Sequence, residues 1–380
     1  MVKIVPQKVK NCYHLMVSYL ADFMNGGWGK RLRIVGVTGT DGKTTVTNVV
    51  KDVLDSVDSK AGMLSTVGGE IGRKSLGIGY HTTTPSSFFI QSFLKKVGEK
   101  GGKNAVVEVT SHGLDQHRLE GVNFEVGVLT NVSWEHLDYH KKIENYIKTK
   151  VKLLKKSKYR VVNCDFCYFN KVKKEIGRKN IFCYGEGREA DFRILDMRTD
   201  LKGSSFSISY KGRKTRLKSR VLGDFNIFNL TAGYCVGIIL GVDEDELKKV
   251  VEEFRLPAGR LEVVIENPFL VIVDYGHTAG AFESILPFLK KQKSGRLIHV
   301  FGATGERDRD KREVMGNISG KYADMSILTS DDCYFEDGGK IMEEIEQDLR
   351  NLKSYEIPSK KIGDKVMSKL KSLDKVSYIR

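Results

Sequence analysis

The chain has 380 residues, 40% of them hydrophobic and 29% charged, with a formal net charge of +15. This composition excludes a disordered or fibrous chain and supplies apolar material for about two or three domains. Six irregularly placed cysteines exclude a disulfide-stapled scaffold and fit a reducing compartment, so the expectation is a cytoplasmic protein.

The first apolar stretch, "YHLMVSYLADFM" (13–24), is interrupted by Asp22 and falls short of the roughly 20 residues a spanning helix needs. It has no small-residue cleavage site either, so it reads as a docking helix rather than a transmembrane segment or leader. Weak contact with a membrane surface is the minor alternative, favoured by Trp28, Lys30, Arg31 and Arg33 nearby.

"RLRIVGVTG" (31–39) is a β-branched run ending in glycine. Residues 41–57 then carry Val46, Val49, Val50, Val53 and Leu54 at helical spacing, which predicts strand, tight turn and helix. The runs 104–111, 126–133 and 159–165 predict buried parallel strands, with helices such as 85–100 between them. Lys148 to Lys158 reads as a lysine-rich helical surface. Cys164 and Cys167 form a lone CxxC without the second pair that zinc requires. Residues 191–222 predict a small antiparallel hairpin with a Lys-Gly turn. Helices are expected at 226–240 and 243–254, and Pro257-Ala258-Gly259 marks a boundary. Beyond it, 269–276, 296–305 and 323–332 predict three more buried strands, and 375–380 reads as the start of another.

The fold class expected is therefore α/β. A central domain with a mostly parallel, phosphate-loop type sheet (31–256) follows an N-terminal helical segment (1–30). A smaller, incomplete Rossmann-like domain (257–380) comes after it.

The chemistry gathers where predicted strands end, as parallel sheets arrange it. In "GVTGTDGKTT" (36–45), Gly39 and Gly42 allow close approach of backbone N–H groups to phosphate oxygens. Lys43 would neutralise their charge, and the Thr44 hydroxyl suits Mg²⁺. Val37 stands where the usual phosphate loop has its first glycine. Glu108, in "EVTSHGLDQHR" (108–118), sits inside a hydrophobic strand, where a carboxylate needs a partner or a metal. "TNVSWEHLDYH" (130–140) brings Glu135, His136, Asp138 and His140 close in sequence, a donor set that suits a divalent cation.

Read together, GTDGKTT, HTTTPSS (81–87), EVTSHGLDQHR, TNVSWEHLDYH, DFNIFNLTAG (224–233), AGRLE (258–262), VDYGHT (273–278) and FGATGERDRDKR (301–312) resemble the Mur ligases, in order, over about residues 31–350. The likeness is closest to the tripeptide synthetases of that family. Its phosphate loop is TGTxGKTT, so Val37 is ordinary there.

The resemblance implies ATP-dependent addition of an amino acid to a UDP-MurNAc-peptide, a peptidoglycan precursor, through an acyl phosphate. It implies ATP and two Mg²⁺ sites. Gly39, Thr40, Asp41, Gly42, Lys43, Thr44 and Thr45 would cradle the phosphates, and Thr44, Glu108 and His136 would serve Mg²⁺. Lys150 falls where the family carries a carbamylated lysine, an anionic ligand for the second Mg²⁺. Lys43, Lys150 and His136 are thus the expected catalytic residues. Asn226, Asn229, Arg260, Asp274 and His277 match nucleotide-facing positions. Thr83, Thr84, Thr110, Gln116 and Arg118 match positions that hold the muramoyl peptide, and Arg307 matches one near the incoming amino acid's carboxylate.

The chain departs from the family at three places. A uridine-binding domain is expected ahead of the phosphate loop and is missing. The C-terminal GKGHE-like segment is missing too. Diaminopimelate-adding members carry Asp-Asn-Pro-Arg where this chain has Asp331-Asp332-Cys333-Tyr334, so a different amino acid, lysine first, is expected. The alternative readings are a folylpolyglutamate synthase-like ligase and a non-catalytic ATP-binding Mur-like protein. The basic residues are spread along the chain and read as a solvated surface, so no nucleic-acid partner is expected.

Overall fold

A computed structural model describes residues 7–76, 83–306 and 309–349. The chain divides into two compact units, Met1–Ser133 with Lys142–Pro257, and Trp134–Lys141 with Ala258–Arg380.

The first unit opens with α1 (Gln7–Met24), then β1 (Arg33–Thr38) and α2 (Lys43–Asp55). The edge strands β2 (Gly62–Ser65), β3 (Gly68–Ile71) and β4 (Lys74–Ser75) follow, then α3 (Ser87–Glu99), β5 (Asn104–Glu108), α4 (Ser111–Asp115) and β6 (Phe124–Leu129). The short helix α5 (Leu137–His140) groups with the second unit. The chain returns through α6 (Ile143–Lys156), β7 (Ser157–Asn163), α7 (Phe169–Ile176) and β8 (Ile181–Gly185). It then runs through β9 (Phe192–Asp200), β10 (Gly203–Tyr210) and β11 (Arg213–Ser219) to α8 (Asp224–Leu240) and α9 (Glu244–Glu253).

These strands form one 11-stranded sheet in the order β11-β10-β9-β8-β7-β6-β1-β5-β2-β3-β4. Its middle is parallel from β2 to β9, and both margins turn antiparallel. β1 lies between β5 and β6, with Val37 opposite Glu108 and Thr38 opposite Leu129. The connections on its two sides leave in opposite directions, which opens a crevice at the carboxyl ends of these three strands.

The predicted helical face of α2 is the one that packs. Val46, Val49, Val50, Val53 and Leu54 are all at most 1% exposed, in a core shared with α8 and the sheet. Each such side chain contributes roughly 1.5–3 kcal/mol by leaving water. Gly233 lets α8 come close, since a Cβ there would lie 2.2 Å from Val49 Cγ1.

Two expectations change in this unit. The hairpin at 191–222 is a three-stranded meander that continues the main sheet. Lys211 (φ 47°) and Gly212 (φ 78°) both sit in the left-handed region, the signature of the two-residue turn that joins twisted strands. The lysine-rich helix stops at Lys156, and Ser157 and Lys158 already belong to β7.

The second unit contains β12 (Glu262–Ile265), β13 (Val271–Val273), α10 (Ala279–Gln292), β14 (Ile298–Phe301), α11 (Asp310–Tyr322), β15 (Met325–Leu328) and α12 (Gly338–Leu349), besides α5. β14 and β15 pair in parallel, as expected. The run 269–276 differs: only Val271–Val273 is strand, half-buried, and it pairs antiparallel with β12. The Asn-Pro-containing turn at 266–270 folds the two into a hairpin. Ile298 and Val300 are about half exposed, so among the described residues β14 is not a fully buried strand. Its core is Phe282, Leu286, Phe301, Met315, Ile318, Ile341 and Ile345. The expected strand at 375–380 lies outside the described residues. No helix among the described residues is long and apolar enough to cross a membrane.

Candidate active site

The carboxyl end of β1 turns into α2 through Gly39–Gly42, and both glycines are required by contact. A Cβ on Gly39 would lie 1.8 Å from Thr130 Oγ1, and one on Gly42 would lie 2.4 Å from Asn229 Oδ1. Gly42 also has φ 79°, a conformation that side chains rarely adopt. It precedes α2 with no side-chain cap. Such a helix start presents N–H groups and positive dipole to an anion.

The loop is shaped from the next strand. Asn131 Oδ1 accepts from Thr40 N at 3.1 Å and Asp41 N at 2.9 Å, and Thr130 Oγ1 donates to Asp41 O at 2.6 Å. Ser133 N donates to Thr40 Oγ1 at 3.0 Å. Two ammonium groups rest on the loop: Lys43 Nζ donates to Thr40 O at 2.7 Å, and Lys150 Nζ donates to Gly39 O at 2.5 Å. Thr45, at the start of α2, is buried.

Gly42→Ala is expected to destabilise the protein by about 1–3 kcal/mol, through backbone strain and the contact with Asn229. It is also expected to abolish ATP binding. Thermal melting with and without ATP reads both effects, and wild-type ATP stabilisation in the variant would refute the role given to this turn.

Glu108 ends β5 and is 1% exposed. Its Oε1 accepts from the Thr44 hydroxyl at 3.1 Å and the Thr66 hydroxyl at 3.0 Å, and its Oε2 accepts from Thr66 N at 2.8 Å. Among the described residues this carboxylate meets neutral donors and no cation. A buried carboxylate held that way fits a bound cation. A hydroxyl and a carboxylate oxygen at one point suit Mg²⁺, which takes one or two protein oxygens and completes its shell with water and phosphate. Among the described residues no group of three or more His, Cys, Asp or Glu side chains is placed to hold a metal.

A threonine network extends from this point. The Thr83 hydroxyl lies 3.0 Å from that of Thr66, and the Thr84 hydroxyl donates to Glu108 O at 3.1 Å. Thr84 in turn accepts from Thr110 N at 2.9 Å and from the Thr110 hydroxyl at 3.1 Å. Arg118 Nη1 donates to Thr84 O at 2.5 Å, and its Nε donates to Gln116 Oε1 at 3.0 Å. The five expected substrate-holding residues of this unit are therefore one connected patch. Asn226 and Asn229 are buried on α8 and joined at 2.9 Å, with Asn229 against Gly42.

Lys150 is 1% exposed and lies 4.4 Å from the Tyr146 ring centroid. Sequence reading alone made it one more solvated lysine. The signal that could have singled it out is its place in the apolar stripe Tyr146, Ile147, Val151 and Leu154, all buried.

In the second unit, Asp274 organises its own loop. Its Oδ2 accepts from Leu261 N at 2.8 Å and its Oδ1 from Gly276 N at 2.6 Å, while Arg260 lies 4.8 Å over the Tyr275 ring. His277 Nε2 is 3.3 Å from Glu135 Oε1, and His136 Nε2 is 3.7 Å from Glu135 Oε2. Glu135 thus stands between two expected site histidines. His136 groups with this unit, whereas Thr44 and Glu108 group with the first. Arg307 lies outside the described residues.

The GERDRDKR run is more than solvated charge. Arg312 is fully buried, bonds Glu336 through two nitrogens at 2.8 and 3.0 Å, and holds its carboxyl at about 2, well below the usual range. Glu336 also accepts from Glu306 N at 2.8 Å, which ties this run to the loop carrying Tyr334.

The cysteine motif has a different character. Burial, with Asp165 beside it, pushes the Cys164 thiol up to about 12.

Thr66 and Asn131 complete these constellations without having been singled out for them, and Glu135, expected as a cation ligand beside His136, also meets His277. Asn131 and Glu135 lay inside a quoted motif, whereas Thr66 sits in a turn with no sequence signal.

Residues 37–237 match the Mur ligase middle domain and residues 259–373 match the Mur ligase glutamate ligase domain. A protein of Aquifex aeolicus named UDP-N-acetylmuramoyl-L-alanyl-D-glutamate–2,6-diaminopimelate ligase is 40% identical over 83% of this chain and 65% of its own length. A Clostridium acetobutylicum protein of the same name, numbered 2, is 36% identical over 91% of this chain and 72% of its own length. The chain therefore spans about two thirds of the length of the curated relatives it matches.

A solved structure of a ligase with that name is 30% identical, with TM-score 0.66, and covers 96% of this chain and 75% of its own. The fold also matches a Thermotoga maritima MurF ligase solved with ADP, at TM-score 0.68, 20% identity and coverage of 93% of this chain and 77% of that one. With a middle-domain match over more than half of its residues and a 36%-identical relative covered over 72% of its length, the chain belongs to the Mur ligase family.

Proposed function

We propose that this chain is a cytoplasmic, ATP-dependent ligase that joins an amino acid to the terminal carboxylate of a UDP-MurNAc-peptide. The observation that carries the reading is the buried Glu108 carboxylate beside the Thr44 hydroxyl, at the mouth of the phosphate loop.

In this reading the γ-phosphoryl group of ATP passes to the substrate carboxylate and ADP leaves. The amine of the incoming amino acid then attacks the acyl carbon, phosphate departs and the amine loses a proton. Gly39–Thr45 hold the phosphates, with Lys43 swinging from Thr40 O to neutralise them. Thr44 and Glu108 would hold one Mg²⁺, with His136 as a further ligand, and Lys150, once carbamylated, would hold the other. When bound, the two ions neutralise the phosphate and carboxylate oxygens that must approach one another. Asn226, Asn229, Arg260, Asp274 and His277 face the nucleotide. Thr83, Thr84, Thr110, Gln116 and Arg118 align the peptide carboxylate, and Arg307 meets the amino acid's carboxylate.

The relatives quoted above are named for diaminopimelate, but Tyr334 here is more than half exposed where diaminopimelate-adding members carry arginine. A phenol offers no bidentate grip on a second carboxylate. The expected substrate is an amino acid with one carboxylate, lysine first.

Phosphate release from Mg·ATP tests the whole reading. The substrates are UDP-MurNAc-dipeptide with a panel of amino acids, a folate with glutamate, and nucleic acid. Release is expected only with the muramoyl peptide plus an amino acid. Preference for diaminopimelate would overturn the Tyr334 argument, release with folate would move the chain to folate chemistry, and release driven by nucleic acid alone would discard the ligase reading.

A further inference from the structure

Helix α1 is packed inside out. Val9, Tyr13, Met16, Leu20 and Phe23 recur at alternating steps of four and three, which places them on one stripe. They are 56, 65, 72, 51 and 84% exposed, and Tyr19 and Met24 widen the stripe at 56 and 62%. The opposite face, which carries Leu15 and buried Ala21 among polar residues, is the one turned to the domain. There Asn11 Nδ2 donates to Asp115 Oδ2 at 3.4 Å, the Ser18 hydroxyl donates to Glu120 O at 3.2 Å, and buried Asp22 pairs with Lys30 at 2.5 Å. A surface helix ordinarily does the reverse, with its apolar stripe inward.

The chemistry of the stripe and its rim identifies what covers it. α1 contains one carboxylate, Asp22, and that is buried, so no negative charge faces outward from the helix. Lys30, Arg31 and Arg33 follow it and are exposed, with Arg31 stacked 5.3 Å from the Trp28 ring centroid. The neighbouring α3 adds exposed Lys96, and the chain as a whole carries +15. A coiled-coil partner would be selected by charged residues flanking a narrow seam. Here the flanks are Cys12, Val17, Tyr19 and Met24, and at about 100° per residue the exposed apolar arc is roughly 140° wide. A wide apolar face rich in tyrosine, phenylalanine and methionine, followed in sequence by exposed cations, is the pattern of a helix lying in a lipid interface.

We propose that the outward face of α1 seats the protein on an anionic lipid surface, with Arg31 and Arg33 at the headgroups. Co-sedimentation of the full chain with phosphatidylcholine vesicles holding about 30% phosphatidylglycerol tests this without any assay of activity. The chain is expected to sediment with these vesicles, to bind phosphatidylcholine alone several-fold less, and to be released by raised salt. Met16→Asp/Phe23→Asp, at two exposed positions, is expected to melt like the wild type and to partition at least about tenfold less. Wild-type protein that stays in the supernatant would overturn the proposal, and so would a double variant that binds as well as the wild type. A concentration-dependent dimer in sedimentation velocity, abolished by the same substitutions and unaccompanied by vesicle binding, would assign the stripe to a second copy of the chain instead.

Discussion

Glu108→Gln is expected to lower ligation by about 10²–10³-fold while leaving the fold intact, the range seen when one preorganised electrostatic partner is removed from a reacting centre. Glutamine keeps the shape of the side chain and one oxygen to accept from Thr66 N or the Thr44 hydroxyl. It loses the second acceptor and the negative charge that would hold the metal. The Mg²⁺ concentration for half-maximal phosphate release is therefore expected to rise along with the fall in rate, at a melting temperature close to the wild type's. Glu108→Ala would confuse the two effects, because it strands the Thr66 and Thr44 donors in a buried site at about 1–3 kcal/mol each. Unchanged activity and metal dependence in Glu108→Gln would remove the metal role from this carboxylate.

Lys150→Ala is expected to abolish activity, by about 10²-fold or more, with no rescue by added bicarbonate. A lysine 1% exposed is unusual, since an ammonium taken out of water is costly unless well partnered. Here it donates to Gly39 O and lies over Tyr146. A carbamate on Lys150 would replace that cation with anionic oxygen ligands. Wild-type protein given ¹³C-bicarbonate should show a carbamate signal that the variant lacks. A purely structural lysine would give a different pattern, in which melting temperature and ATP affinity fall together and no carbamate is detected. Lys152, two residues on and 40% exposed in its pair with Asp115, is the control, with an expected effect within about 0.5 kcal/mol. Full activity of Lys150→Ala would sink the assignment.

Much of the first unit was legible because its physics is local. The spacing Val46, Val49, Val50, Val53 and Leu54 marks the buried face of α2 directly. The Lys211-Gly212 turn announces its hairpin through the positive φ that such turns demand. Less legible were features that depend on what lies alongside. Thr66 bonds Glu108 only because β2 is laid next to β5 by the sheet order. Glu135 between His136 and His277 joins residues far apart in sequence. β13 looked like a buried parallel strand because an apolar run has the same composition whichever way its partner runs. Lys150 was hidden by its lysine-rich company, although the helical stripe around it carried the signal.

Asn131 gives the phosphate loop a second owner. Its side chain fixes the amides of Thr40 and Asp41 from the end of β6, about ninety residues downstream, so those residues lose their freedom when the sheet forms rather than when a nucleotide arrives. The loop is then a template cast during folding, and little of the binding energy of a nucleotide is diverted into ordering it. A survey of natural variants confined to the GTDGKTT string would miss the residue that sets the shape of that string. Asn131 and its loop should change together or not at all.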